Sequence, residues 1–125
     1  MSLQKKVLVI DDEEDFSFFV KKNLEVSGMF NVLVATNGED GIRLARIEHP
    51  DIILLDVMMP SLGGPDVADI LGNDPKTKDI PVVFLTAIVT KEEIGVETMR
   101  EIGGQNYIAK PISAEDLIAA INKVV

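Results

Sequence analysis

The sequence contains no cysteine and no tryptophan, and it has one histidine, His49, and one tyrosine, Tyr107. Without cysteine there can be no disulfide, no thiolate nucleophile and no thiolate metal site. A single histidine excludes a multi-histidine metal centre. Basic residues are scarce: 12 Lys and Arg stand against 21 Asp and Glu, a formal net charge of −9. That balance makes nucleic acid and anionic membrane poor partners, since both need a basic footprint. No apolar run approaches the ~18 residues of a membrane span. The apolar stretch behind Lys5 and Lys6 runs only from Val7 to Ile10 before it meets Asp11–Asp15. It is too short for a secretory signal, so a cytoplasmic location is expected.

What is present suits a folded domain. The chain has 125 residues, 46% hydrophobic and 26% charged, enough for one domain with its own core. Residues 1–125 are read as that single domain, with no weight placed on Met1-Ser2-Leu3. Short runs rich in β-branched residues occur at Lys5–Ile10, Asn31–Ala35, Asp51–Leu55, Pro81–Thr86 and Gln105–Ala109. Each is followed by a segment of helical periodicity. The first helix is expected from near Glu14, with Phe16, Phe19, Val20, Asn23, Leu24 and Ser27 on one face and Gly28 as its stop. Glu13, Glu14 and Asp15 read as a favourable acidic first turn, and His49 as a solvated helix C-terminus. Asn37 with Asp40, Gly64-Pro65, Thr90 with Glu93, and Ser113 with Asp116 mark four further helix starts. Five such alternations predict an α/β fold, a three-layer doubly wound sandwich around a five-stranded parallel sheet. In such folds ligands bind outside the carboxyl ends of the strands.

The polar residues stand at those ends. Strand one ends in Asp11-Asp12, strand three in Asp56, strand four in Thr86 and strand five near Lys110. Neighbouring strands lie ~4.8 Å apart, so their ends can share a site. Crowded carboxylates repel one another unless a cation sits among them. Oxygen donors without His or Cys suit Mg²⁺ or Mn²⁺. A divalent ion, an ammonium and a hydroxyl make a receptacle for a phosphoryl group, and a carboxylate can itself be the nucleophile.

These residues, in this order, resemble the receiver domain of response regulators of two-component signalling, of the chemotaxis-regulator type. The resemblance spans essentially the whole chain. It rests on Asp11-Asp12, on Asp56-Val57-Met58-Met59-Pro60, on Thr86-Ala87, and on Lys110-Pro111 with Tyr107 three residues before the lysine. It implies strand order 2-1-3-4-5 and a phosphoacceptor role for Asp56, supplied by a histidine kinase or a histidine phosphotransfer protein. It further implies Mg²⁺ held by Asp12, by Asp11 through water, by Asp56 and by the backbone carbonyl of Met58. Lys110 would contact the phosphoryl oxygens, and the Lys110–Pro111 bond would be cis. Thr86 would move to hydrogen-bond the phosphoryl group and Tyr107 would turn inward behind it. That switch would reshape the face made by the fourth helix, fifth strand and fifth helix, which serves an output domain or protein and allows a phosphorylation-dependent homodimer. By the same resemblance the domain catalyses only its own phosphorylation and dephosphorylation. No output domain is expected within the chain.

The sequence departs from the family at a few points. Gly63 stands where Asp or Asn is usual before Gly64, and Gly103-Gly104 lies in a slightly lengthened stretch before Lys110. Met58 and Ile88, two residues past Asp56 and Thr86, are apolar and cannot hydrogen-bond an attacking water, so slow self-dephosphorylation is expected. Phe18 falls opposite the core face of the first helix and is a candidate kinase-docking residue. Gly95 should weaken the fourth helix. Three other readings compete. A haloacid-dehalogenase-like phosphohydrolase would carry its nucleophile in an Asp-x-Asp pattern after strand one. A flavodoxin-like cofactor binder would not place Asp11–Asp15 where a phosphate must sit. A degenerate receiver, acting only as a binding module, would lack part of this site.

Overall fold

Alternate residues of a strand face opposite ways, so a strand apolar throughout must be covered on both sides. Val7–Ile10 and Ile52–Leu55 are such runs, and every one of these side chains is fully buried. The computed structural model describes residues 4–87, 99–102 and 104–125. Its strands are β1 (Lys5–Ile10), β2 (Phe30–Ala35), β3 (Ile52–Asp56), β4 (Val82–Thr86), β5 (Met99–Ile102) and β6 (Gln105–Ala109). Its helices are α1 (Glu14–Val26), α2 (Gly38–Glu48), α3 (Gly64–Asn73) and α4 (Ala114–Val124). The sheet order is β2-β1-β3-β4-β6-β5. The first five of these pair in parallel, which is the expected 2-1-3-4-5 arrangement.

The core divides by strand parity. Val7, Val9, Ile52, Leu54, Val83, Leu85 and Ile108 pack with Val20 and Leu24 of α1 and Leu117 and Ile121 of α4. Leu8, Ile10, Ile53, Leu55 and Phe84 pack on the other side with Ala45 of α2 and Val67 and Leu71 of α3. Each fully buried aliphatic side chain contributes about 1.5–3 kcal/mol, so this central region anchors the strand ends that carry the site.

β5 was not anticipated. It runs antiparallel to β6, with Ile102 paired to Gln105. The signal was Gly103-Gly104 between two apolar-containing runs, since a two-residue hairpin connection demands positive φ. Gly104 has φ 85°. The fourth helix start read at Thr90 and Glu93, together with Ile88 and Gly95, lies outside the described residues.

Local signals locate the helices well. Asn37 Oδ1 accepts from Asp40 N at 2.8 Å, and Ser113 Oγ accepts from Asp116 N at 3.1 Å. Pro65 occupies the first turn of α3. His49 is exposed and closes α2 with φ 47°. On α1, Ser27 is exposed rather than core-facing, because the helix ends at Val26 and Ser27 becomes its cap. Its hydroxyl donates to Leu24 O at 2.6 Å. Ser17 is buried instead.

β2 forms one edge of the sheet. On its outer side Lys21 Nζ donates to Val32 O at 2.9 Å and Val32 N donates to Glu25 Oε2 at 3.2 Å. Lys21 and Glu25 also pair with each other at 3.2 Å. The Val32 N–H holds the Glu25 carboxyl below its usual pKa.

Candidate functional site

Each site residue is fixed by the strand it ends. The Asp11 N–H donates to Ala35 O at 3.0 Å, continuing the β1–β2 ladder. Asp56 is the last residue of β3, paired with Leu85 of β4. Thr86 ends β4 opposite Ala109, and the Lys110 N–H donates to Thr86 O at 3.0 Å. The parallel register therefore brings residues far apart in sequence to one edge. Asp11, Asp12 and Asp56 each present an oxygen within 4.8 Å of the others. Asp11 and Asp56 are buried, whereas Asp12 is exposed.

Lys110 enters this group from the opposite side. Its Nζ lies 2.7 Å from Asp11 Oδ2 and 3.8 Å from Asp56 Oδ1. It also lies 2.7 Å from Glu13 Oε1 and 4.5 Å from the centre of the Phe16 ring. Glu13 corrects the reading of an acidic first turn. It is the N-cap of α1, makes no side-chain cap bond, and sends its carboxylate to Lys110 instead. Glu14 and Asp15 do occupy the first turn. No local pattern could have found the Glu13 contact, because the partners are 97 residues apart.

The electrostatics follow from this crowding. Burial and the Asp11 charge push the Asp56 carboxyl up to about 6, against the opposing pull of Lys110 and the Met58 N–H. The Met58 N–H donates to Asp56 Oδ1 at 3.4 Å. Burial pulls the Lys110 ammonium down, but contact with Asp11 and Glu13 and the charges of Asp11 and Asp56 reverse this, leaving its pKa raised. Among the described residues, Asp11 Oδ2 is buried without a well-directed hydrogen bond and forms an ion pair with Lys110. A buried, under-satisfied carboxylate oxygen in an all-oxygen cluster is the donor set that Mg²⁺ takes.

The loop after Asp56 folds back beneath it. The Val57 N–H donates to Leu85 O, and the Gly64 N–H donates to Val57 O, both at 3.1 Å. Between them Ser61 adopts φ 67°, and Leu62 N–H donates to Pro60 O at 2.9 Å, a tight three-residue turn. Gly63 is the N-cap of α3 and supplies no side-chain bond. The Asp or Asn usual there is a preferred N-cap type, so the missing contact is a helix cap. Met58 is 67% exposed. Phe18, on the outer face of α1, is 68% exposed. Tyr107 is half-buried, its ring stacked on Phe84 with centres 5.3 Å apart. The Lys110–Pro111 peptide bond is cis.

The family model of the response regulator receiver domain matches residues 7–122. The chain belongs to that family. Among relatives, this receiver domain is 37% identical over 121 residues to a probable transcriptional regulator, ycf27, of Porphyra purpurea. That match covers 97% of this chain and 47% of the relative, so the chain spans about half that protein's length. It is 35% identical over 119 residues to PilH of Pseudomonas aeruginosa, covering 95% of this chain and 96% of PilH. Among solved structures, the receiver domain of a Francisella response regulator superposes with a TM-score of 0.78 at 31% identity, covering 97% and 96% of the two chains. Among the described residues of this receiver domain, no helix is long and apolar enough to cross a membrane.

Proposed function

We propose that Asp56 is the phosphoacceptor of this receiver domain and that the donor is a phosphohistidine on a kinase or phosphotransfer protein. The observation that carries the reading is the convergence of Asp11, Asp12, Asp56 and Lys110 at the carboxyl ends of their strands. In the transfer the P–N bond of the phosphohistidine breaks as a P–O bond forms to an Asp56 carboxylate oxygen. Asp11, Asp12, Asp56 and the Met58 carbonyl would hold Mg²⁺, with Mn²⁺ as a substitute. The ion, when bound, neutralises charge that would otherwise repel the incoming phosphoryl group. Lys110 neutralises the phosphoryl oxygens from the other side. Thr86 and Tyr107 carry the change to the face that includes β6 and α4, where an output domain or protein is engaged or a second copy pairs. The domain acts in the cytoplasm and turns over no other substrate.

The test is treatment with acetyl phosphate and Mg²⁺ followed by intact-mass measurement. One base-labile phosphoryl group on the wild type, and none on Asp56→Asn, is expected. Modification of the variant to the same extent would overturn the assignment. Release of phosphate from a range of free monoesters would favour the phosphohydrolase reading instead.

The exposed, apolar Met58 leaves no hydrogen bond for an attacking water on its side of Asp56. Met58→Asn is therefore expected to shorten the lifetime of the phosphorylated form several-fold. An unchanged decay of phosphorylated protein in Mg²⁺ would show that this position does not limit hydrolysis.

A further inference from the structure

Lys110 has more partners than a phosphoryl-binding lysine needs. An ammonium has three donors. In this structure the ammonium donates to Glu13 Oε1 at 2.7 Å, forms an ion pair with Asp11 Oδ2 at 2.7 Å, and stands 3.8 Å from Asp56 Oδ1. The Phe16 ring closes a further side at 4.5 Å, a distance at which a cation is attracted to the ring face. Glu13 is well placed for this task. Its backbone N–H donates to Asp11 Oδ1 at 2.9 Å, so its position is tied to the site. Its side chain caps nothing on α1 and is 64% exposed, so it moves freely once released.

We propose that Glu13 is a positioning residue that detains Lys110 on the Asp11 side of the site, so that a phosphoryl group on Asp56 must win the ammonium from it. The inference rests on the phosphoacceptor reading of Asp56. Phe16 supports the parked position from beneath, and Glu13 supplies the part of the hold that competes with the incoming anion. Glu13 thus sets how readily the site fills, without touching the reacting atoms. An exposed ion pair is modest, which suits a contact that must break in every cycle.

Trifluoroberyllate with Mg²⁺ tests this, because it binds a carboxylate oxygen as a reversible phosphoryl analogue and gives an equilibrium constant by ¹⁹F NMR titration. Two variants are compared at low ionic strength. Glu13→Gln removes the charge. Glu13→Asp keeps the charge but withdraws it by one methylene from Lys110. If Glu13 acts by direct contact, both variants bind the analogue about two- to fivefold more tightly than wild type, the range an exposed ion pair spans. If Glu13→Gln matches wild type, Glu13 does not detain Lys110. If Glu13→Asp matches wild type while Glu13→Gln is tighter, general repulsion explains the effect and the detaining contact is refuted. A wild type that binds no analogue would overturn the phosphoacceptor reading and this proposal with it. Because Glu13 is largely exposed, neither change threatens folding.

Discussion

Replacing Asp56 with Asn is expected to stabilise the metal-free protein at pH 7.5 by about 1–3 kcal/mol, at 1.36 kcal/mol per pH unit of displaced ionisation. Burial and the neighbouring Asp11 raise its pKa from 3.8 to about 6. The sign is the reverse of that for a salt-bridged acid. Below pH 4 the carboxyl is protonated in both folded and unfolded chains, and Asp56 costs nothing. Between about pH 4 and 6 the folded protein holds a proton that the unfolded chain has already lost, so stability falls as pH rises. Above about 6 the full penalty is present. The advantage of Asp56→Asn should therefore be small at pH 4 and complete at pH 7.5. Mg²⁺ should offset the penalty in the wild type: an ion at a hundred times its dissociation constant adds about 2.7 kcal/mol. Asp56→Asn, which removes one carboxylate from the proposed metal cluster, should gain much less. Urea unfolding at both pH values, in EDTA and in Mg²⁺, measures all four quantities. A variant less stable than wild type at pH 7.5 in EDTA would contradict the assigned electrostatics.

The second large effect is steric. A Cβ on Gly64 would collide with the carbonyl oxygen of Asp56 and lie 2.8 Å from Val57 Cα. Both obstacles are backbone, and that backbone ends β3, buried between β1 and β4. They cannot rotate away as a side chain would. Gly64→Ala is expected to cost about 1–3 kcal/mol or more, the range for forcing atoms into a packed region. It should also weaken Mg²⁺ binding, because the displaced carbonyl belongs to Asp56, the proposed phosphoacceptor. Gly72 in the same helix supplies the control. A Cβ there meets nothing within 4 Å, and Gly72 is exposed. Gly72→Ala should be neutral or stabilising by up to about 1 kcal/mol, through helix propensity alone. Urea midpoints that moved together for the two variants would refute the close-approach argument.

The contrast between these glycines shows what a sequence can disclose. Asn37, Ser113 and Pro65 act on the residues next to them, so their helix starts were legible directly. The apolar runs of β1 and β3 exposed the layered fold, because only a doubly covered sheet can bury them. Asp11, Asp12, Asp56, Thr86 and Lys110 could be gathered in advance because parallel strands put their carboxyl ends on one edge. Gly64 was visible as part of a motif, but its physical reason was not: the need is set by Asp56 folding back over it. The pairing of Glu13 with Lys110 depends on where a long side chain points across two strand ends. The Ser61 turn depends on a backbone conformation that serine does not signal. Contacts of that kind arise only after the fold has formed.

The capped margin of β2 has a consequence for how molecules of this protein meet. A bare strand edge offers main-chain groups to any passing strand, and proteins that leave one uncovered tend to stack side by side. Here Lys21 and Glu25 occupy both main-chain groups of Val32, so an intruding strand must first break three polar contacts. The plug is charge-neutral in sum and built from a single helical turn, so it costs the fold no extra element. It blocks sheet extension at the middle of this edge, where Val32 would otherwise offer both its main-chain groups.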